Sequence, residues 1–338
     1  MTNKRSTIKD IARKANVSIA TVSNVLNDID VVKPKTRQHV LQIASQLNYV
    51  PNLRAKQLQS GQTKMIGFFC NSISGPYFNP LAESIAKIAE ENGYGINILL
   101  SNDQSMLRRN ILGDLVDGII GFEDLITDKE LQLIRTNRIK AVFIDRIIQD
   151  ETIGSVVFDS YQKGKEVTDY LIQQGHQKIG FILGKDDIYD SNERFRGYKT
   201  AMEKANLKVN PNYIFKGEFE LEPAFQVIEQ FLTTTARKDY PTAIIAGNDL
   251  SAIGAYRAIK QQKIRIPEEI SLVSFDGFDL DSPHRPNLTG IHNPIVEQAK
   301  FAVEHLIAMI HNQTPGKVQT IEGHFVVGET VQQRAEER

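Results

Sequence analysis

Short runs of polar side chains stand where apolar stretches end: Asn71-Ser72, Asp145-Arg146, Asp159, Asn248-Asp249 and Asp276. If brought together, their amides, carboxylates and guanidinium could hydrogen-bond a hydroxyl-rich ligand. Each Asn or Asp could equally be an ordinary helix N-cap. A second set lies near the N-terminus. Ser18, Ile19, Ala20, Thr21, Ser23 and Asn24 follow a break at Asn16-Val17. On a helix in a DNA major groove, Asn24 offers a bidentate match to adenine. Ile19 and Ala20 offer contacts to thymine methyls. The hydroxyls of Ser18, Thr21 and Ser23 could reach phosphates. The alternative is a three-helix bundle with no groove contact.

Dinucleotide, phosphate-loop and metal chemistry have no comparable set. No Gly-x-Gly-x-x-Gly follows a strand, and no Walker-type phosphate loop occurs. The seven histidines, at 39, 176, 284, 292, 305, 311 and 324, show no metal-ligand spacing. An enzyme is a rival reading with no motif behind it, so neither cofactor nor metal is expected.

The elements that must position these residues are legible in outline. Thr7 can cap a first helix, with Asp10 completing a capping box. Ile8, Ile11, Ala12 and Ala15 form its apolar face. Ser18 caps a second helix that ends at Asn27-Asp28. Pro34 opens a third, with Val40, Ile43, Ala44 and Leu47 on its inner face. Two short helices joined by a tight turn, then a third, make a helix-turn-helix. From about Lys64 the pattern changes. Strands are expected at Met65–Cys70, Ile96–Leu100, Gly118–Ile120, Ala141–Ile144, Val156–Phe158, Ile179–Leu183, Ala243–Ala246 and Leu272–Phe275. Helices are expected at Pro80–Asn92, Tyr161–Gln174, Arg194–Ala205, Pro223–Leu232 and Leu250–Gln262. Such alternation implies parallel sheets covered by helices on both faces. Eight or more strands fit two doubly wound sheets better than one. In open sheets of this kind ligands bind beyond the carboxyl ends of strands, where the first polar set lies.

Charge separates the two regions. Residues 1–60 hold ten Lys/Arg, three Asp and no Glu, a net +7. The whole chain carries −1, so the remainder carries −8. A basic headpiece on an acidic body suits a polyanionic partner. Residues 51–61 could form about two helical turns, too few to be stable without a partner surface. Cys70 is the single cysteine and cannot form an internal disulfide. No apolar run is long enough for a membrane helix, and Met1–Asp10 lacks the core of a signal peptide. The expected location is the cytoplasm, which argues against a second rival, an exported sugar-binding protein.

Several segments in register resemble the lactose-repressor (LacI/GalR) family. They are Thr7-Ile8-Lys9-Asp10-Ile11-Ala12, Val17-Ser18-Ile19-Ala20-Thr21-Val22-Ser23 and Val25-Leu26-Asn27. Pro34-Lys35-Thr36-Arg37 and Leu47-Asn48-Tyr49-Val50-Pro51-Asn52 continue the match. The resemblance covers essentially the whole chain. It implies an α/β protein with an N-terminal helix-turn-helix headpiece and a two-lobed periplasmic-binding-protein-like core of parallel doubly wound sheets. The implied domains are a headpiece at 1–49, a hinge helix at 50–62 and an effector core at 63–338. The N-lobe is expected at about 63–160 and 292–321, the C-lobe at about 161–291 and 322–338. Three crossings are implied, near 159–162, 290–293 and 320–324.

The resemblance implies a mechanism as well. A homodimer binds a palindromic operator, and a small effector, a sugar or sugar phosphate, sets its affinity. A nucleobase or a protein coregulator is the alternative. The implied DNA-binding residues are Thr7, Ser18, Ile19, Ala20, Thr21, Ser23, Asn24, Asn27, Tyr49, Asn52, Ala55, Lys56 and Leu58. Leu58 matches the leucine that wedges a base step apart in the minor groove. Lys56 stands where the family usually has Arg, Lys33 where a capping Ser is common, and Asn24 where Arg is frequent. The implied effector residues are Asn71, Tyr77, Phe78, Asp145, Arg146, Arg194, Phe219, Asn248 and Asp276, with Tyr77 and Phe78 on the first crevice loop. No leucine heptad follows Val331, so a dimer is expected rather than a tetramer.

Overall fold

The computed structural model describes residues 6–50, 61–122, 125–277 and 287–334. The chain divides into two units, Met1–Thr63 and Lys64–Arg338.

In the first unit, three helices enclose a small core. Thr7 opens α1 (Ile8–Ala15): its amide and hydroxyl both donate to the Asp10 carboxylate, at 2.9 and 2.7 Å. Asn16 takes a left-handed conformation (φ 52°) and ends the helix, a geometry Asn tolerates. Ser18 caps α2 (Ile19–Leu26) by accepting the Thr21 amide at 3.0 Å. Pro34 opens α3 (Pro34–Gln46), and Lys33 before it supplies no side-chain cap. Ile11, Val22, Val25, Val40 and Ile43 are buried among the three helices.

The second unit holds two six-stranded sheets, and its first lobe is a β–α alternation. In chain order it runs β1 (Met65–Cys70), α4 (Gly75–Glu91), β2 (Gly95–Leu100), α5 (Gln104–Ile111) and β3 (Gly118–Phe122). Then follow α6 (Asp128–Thr136), β4 (Ala141–Ile144) and β5 (Ile153–Phe158). The second lobe takes up α7 (Ser160–Gln173), β6 (Ile179–Leu183), α8 (Tyr189–Lys204), β7 (Ile214–Lys216) and α9 (Leu221–Thr234). It continues with β8 (Ala243–Ala246), α10 (Asp249–Gln261), β9 (Ser271–Asp276) and β10 (Thr289–His292). The chain then returns to the first lobe for α11 (Ile295–Ile310) and β11 (Val318–Ile321), and crosses back for β12 (His324–Val326).

The first sheet has the order β11-β5-β4-β3-β1-β2, with every pair parallel. The second has the order β12-β10-β9-β8-β6-β7, parallel except where β12 runs against β10. Their central strands are buried on both faces, as helices on both sides require. β3, β4 and β8 have no exposed residue. Crossings fall at Asp159, at Asn293-Pro294 and at Glu322-Gly323.

Two helices start five residues earlier than their sequence pattern predicts. α4 begins at Gly75, with Pro76 in its opening turn and Pro80 inside it. α8 begins at Tyr189 rather than Arg194. The strands absent from the sequence reading, β7, β10, β11 and β12, are three or four residues long and lie at or beside a sheet edge. Their periodicity is too short to register.

Candidate functional site

The carboxyl ends of both sheets open on one cavity of about 470 Å³. Asn71 after β1, Asp145 after β4, Asn248 after β8 and Asp276 at the end of β9 all line it. Tyr77 and Phe78 line it from the first turn of α4, which corrects their expected place in a loop. Arg194 reaches it from α8, and Phe219 from the turn between β7 and α9. Arg146 is a correction: it does not line the cavity. Its guanidinium donates to the Ile126 carbonyl and to Asp128, the latter at 2.9 Å, which ties it to the start of α6. Asp159 is also held elsewhere. Its carboxylate accepts the Gly323 amide at 3.0 Å, joining two of the crossings.

The first lobe contributes a neutral clamp around a carboxylate. The Tyr77 hydroxyl lies 3.1 Å from Asp145 Oδ2 and 2.8 Å from Gln298 Oε1, and Gln298 Nε2 donates to Asp145 Oδ1 at 3.0 Å. Gln298 is fully buried in α11. Asp145 is pushed well above the ordinary carboxyl range, first by burial and then by the Asp190 charge. Burial and then the Asp145 charge push the Tyr77 phenol up too.

The second lobe contributes a cation held by two carboxylates. Arg194 Nη2 donates to Asp190 Oδ2 at 3.1 Å and to Asp276 Oδ1 at 3.3 Å. Nη1 donates to the Gly247 carbonyl, and Nε to Ser160 Oγ at 3.4 Å. Ser160 in turn donates to Asp190 at 2.9 Å, and Asn293 to Asp276 at 3.0 Å. The guanidinium lies 4.6 Å from the centre of the Phe275 ring. Burial works against the Arg194 charge, but the nearby carboxylates, Asp276 foremost, outweigh it and raise its pKa.

Phe219 is seated by two glycines. A Cβ at Gly184 would stand 2.5 Å from its ring, and one at Gly247 2.8 Å. Asn248 serves as cap and wall together: its amide donates to the Phe219 carbonyl and its oxygen accepts the Ser251 amide, both at 2.9 Å. Asp145, Glu218, Phe219 and Asp276 all line the cavity with positive φ, from 57° to 88°. Left-handed backbone in non-glycine residues collects at functional sites.

Asp190 and Gln298 were missed by the sequence reading. Asp190 had a signal, because it stands four residues before Arg194, a spacing at which helical side chains meet. Starting the helix at Arg194 hid that pair. Gln298 lies in a helix the sequence reading did not name.

On the headpiece, α2 turns Val22 and Val25 inward. Ile19 is 46% exposed. Ser18 and Ala20 are exposed beside it, and Thr21, Ser23 and Asn24 are half-buried. Asn27 is exposed at the C-cap of α2. Thr7 is committed to its capping box, and Tyr49 packs against the core. Arg37 is occupied as well, pairing with Asp28 and donating to the Ile29 carbonyl at 2.8 Å, which braces the turn before α3. Asn52, Ala55, Lys56 and Leu58 lie outside the described residues. Among the described residues, no group of three or more His, Cys, Asp or Glu could hold a metal, and no helix is long and apolar enough to cross a membrane.

Residues 7–52 match the family model for bacterial regulatory proteins of the lacI family, and residues 168–331 match that of a periplasmic binding protein-like domain. The chain is 32% identical to the probable HTH-type transcriptional repressor ExuR of Bacillus subtilis, over 96% of this chain and 98% of that protein. It is 32% identical to the ribose operon repressor of Haemophilus influenzae, over 91% and 92%. Among solved structures, the lac repressor dimer bound to operator and an anti-inducer aligns with a TM-score of 0.85, at 26% identity, over 97% of this chain and all of that one. A CelR–cellobiose complex shares the fold, with a TM-score of 0.73 at 23% identity over 96% of this chain and all of that one. The chain is thus matched along nearly its whole length by such relatives, and it belongs to the lacI family of bacterial transcription regulators.

Proposed function

We propose that this protein is a cytoplasmic repressor, not an enzyme, that binds a palindromic operator as a homodimer and is switched by a small hydroxyl-rich effector held between its lobes. The observation that carries the effector reading is the polar ring drawn from both lobes around one cavity: Tyr77 and Asp145 from the first, Arg194, Asn248 and Asp276 from the second. Asn71, Phe78 and Phe219 complete the effector set. A ligand touching both walls favours one lobe arrangement over another, which is what a change in DNA affinity requires.

Recognition of the operator falls to α2. Ile19, Ala20 and Asn24 meet base edges, and Ser18, Thr21 and Ser23 meet phosphates. Leu58, with Ala55 and Lys56 beside it, wedges the minor groove at the operator centre. The dimer reading is supported by β2, an edge strand that exposes Ile98 and Leu100, with Met106, Leu112 and Leu115 also exposed nearby in sequence. Apolar edges of this kind are templates for pairing.

The test is fluorescence anisotropy of the purified protein on random-site DNA enriched for palindromes, at two salt concentrations. Tight binding to a two-fold site, weakening steeply with salt, is the expected result. Weak, sequence-blind binding that no pool of small metabolites sharpens would remove the repressor reading.

A further inference from the structure

Arg194 is the cation one would assign to an anionic ligand, yet its donors are nearly all spent. A guanidinium has five N–H groups. Two go to Asp190 and Asp276, one to the Gly247 carbonyl and one to Ser160. A single Nη1 hydrogen is left, so the paired fork that grips phosphate or carboxylate is not on offer. Its charge is answered twice over within the second lobe, and Asp145 faces the same cavity from the first.

The remaining charges do not restore the balance. Two of the charged residues lining the cavity are basic, and six are acidic. Lys185, the other cation, is exposed at the rim, where water screens it. Two helix N-termini that could favour an anion, those of α8 and α10, already carry Asp190 and Asp249 in their first turns. What remains are acceptors for hydroxyl donors, in Asp145, Asp190 and Asp276, and the flat ring of Phe219 seated on Gly184 and Gly247. Hydroxyls donate to carboxylates, and a sugar's C–H face packs on an aromatic ring.

We propose that the cavity takes an uncharged sugar and rejects the same sugar once it carries a phosphate or a carboxylate, with Asp190 as the residue that imposes the choice. This rests on the effector reading above and removes sugar phosphates from it. Asp190 sets the specificity by occupying Arg194. Asp190→Asn keeps the size of the side chain and the contact to Ser160, but removes one negative charge and loosens the hold on Nη2.

The experiment is calorimetric titration of the full-length wild type and of Asp190→Asn. The probes are neutral pentoses, hexoses and disaccharides, each with its phosphate ester and uronic acid. For the wild type, a neutral sugar binds and its charged forms bind at least about 100-fold more weakly. In Asp190→Asn that ratio narrows by about tenfold or more. Asp276→Asn, which also frees Nη2, narrows it in the same direction and serves if the first variant does not fold. A phosphate or uronate that binds more tightly than every neutral sugar overturns the inference and leaves the effector cleft standing. A ratio unchanged in a folded variant overturns the role of Asp190. Failure of every probe, neutral or charged, up to about 10 mM overturns both the inference and the sugar-effector reading.

Discussion

The hydroxyl of Tyr77 sits 2.8 Å from the side-chain oxygen of Gln298, although 221 positions separate them in the chain. Tyr77 belongs to the first helix of its lobe and Gln298 to the last, so the clamp on Asp145 exists only once both ends of the lobe are in place. Gln298 is a positioning residue. We expect Gln298→Ala to weaken effector binding by about tenfold, since it takes one hydrogen-bond partner each from a buried phenol and a buried carboxyl, which are left with each other, and a lost partner of this kind is worth about 1–3 kcal/mol. Titration of effector should show the loss while operator affinity without effector stays the same. Equal effector affinity in a folded variant would remove Gln298 from the site.

Arg194→Ala removes the cation that answers Asp190 and Asp276. Breaking a buried pair from one side costs about 3–5 kcal/mol, because the surviving charge stays buried. The variant should therefore melt earlier in urea. It should also bind operator normally at low temperature, yet fail to respond to effector. A normal response would place the ligand elsewhere.

Gly184→Ala drives a methyl into the Phe219 ring, which has no room to stay where it is. Overpacking of this kind costs about 1–3 kcal/mol. Displacement of the ring should lower effector affinity by more than it lowers thermal stability. Isothermal titration and a melt on the same sample compare the two; a stability loss with unchanged affinity would make Phe219 a packing residue only.

His176 gives the molecule an acid limit. It is fully buried, 2.9 Å from the Thr242 hydroxyl and 3.1 Å from the Gln332 carbonyl. Burial, followed by the Arg334 charge, lowers its pKa from 6.5 to about 4. The unfolded chain therefore binds more protons between these values. The stability due to neutral His176 is complete above about pH 6.5 and is lost as pH falls towards 4. The ceiling is about 3 kcal/mol, at about 1.4 kcal/mol per pKa unit. His176→Gln should flatten the denaturation midpoint across that window; a wild-type midpoint that does not move between pH 6.5 and 4 would count against the assignment.

Asn24 lies on the outward side of α2, half-buried, one residue from the inward-facing Val25. Replacing it with Ala should relax base preference at one position in each half-site by about 1–3 kcal/mol, the worth of a bidentate base contact. Competition binding with operators changed one base at a time reads this out. Uniform weakening at every position would assign Asn24 to the backbone instead.

The sequence reading succeeded where one physical signal dominated. Ala141–Ile144 and Ala243–Ala246 are continuous apolar runs because helices cover both faces of their sheets, and the structure reproduces those bounds. Caps at Thr7 and Ser18 were legible because a side-chain oxygen must meet a backbone amide at a fixed offset: the Asp10 carboxylate accepts the Thr7 amide, and the Ser18 hydroxyl accepts the Thr21 amide. The strand-end rule picked out Asn71, Asp145, Asn248 and Asp276, which line the cavity. It could not say that Arg146 would turn to Asp128, since neighbouring side chains on a loop need not share a direction. Pro80 misplaced the start of α4, because proline usually opens a helix and here stands inside one. Gln298 had no local signature at all. Its role comes from a contact across most of the chain.

The three crossings between lobes also bear on how the protein is made. A ribosome delivers β1 to β5 early, but the core they form needs Ile295, Ala299, Val303 and Leu306 from α11. At roughly 5–20 residues per second, that helix emerges many seconds later. In the interval the face that α11 will cover has no native partner, and the strand edge that β11 will occupy beside β5 stands open. Exposed apolar surface and an unpaired strand edge are what make partly folded chains prone to aggregate. A stop codon just before α11 would therefore damage the lobe that was synthesised first, not only the segment it deletes.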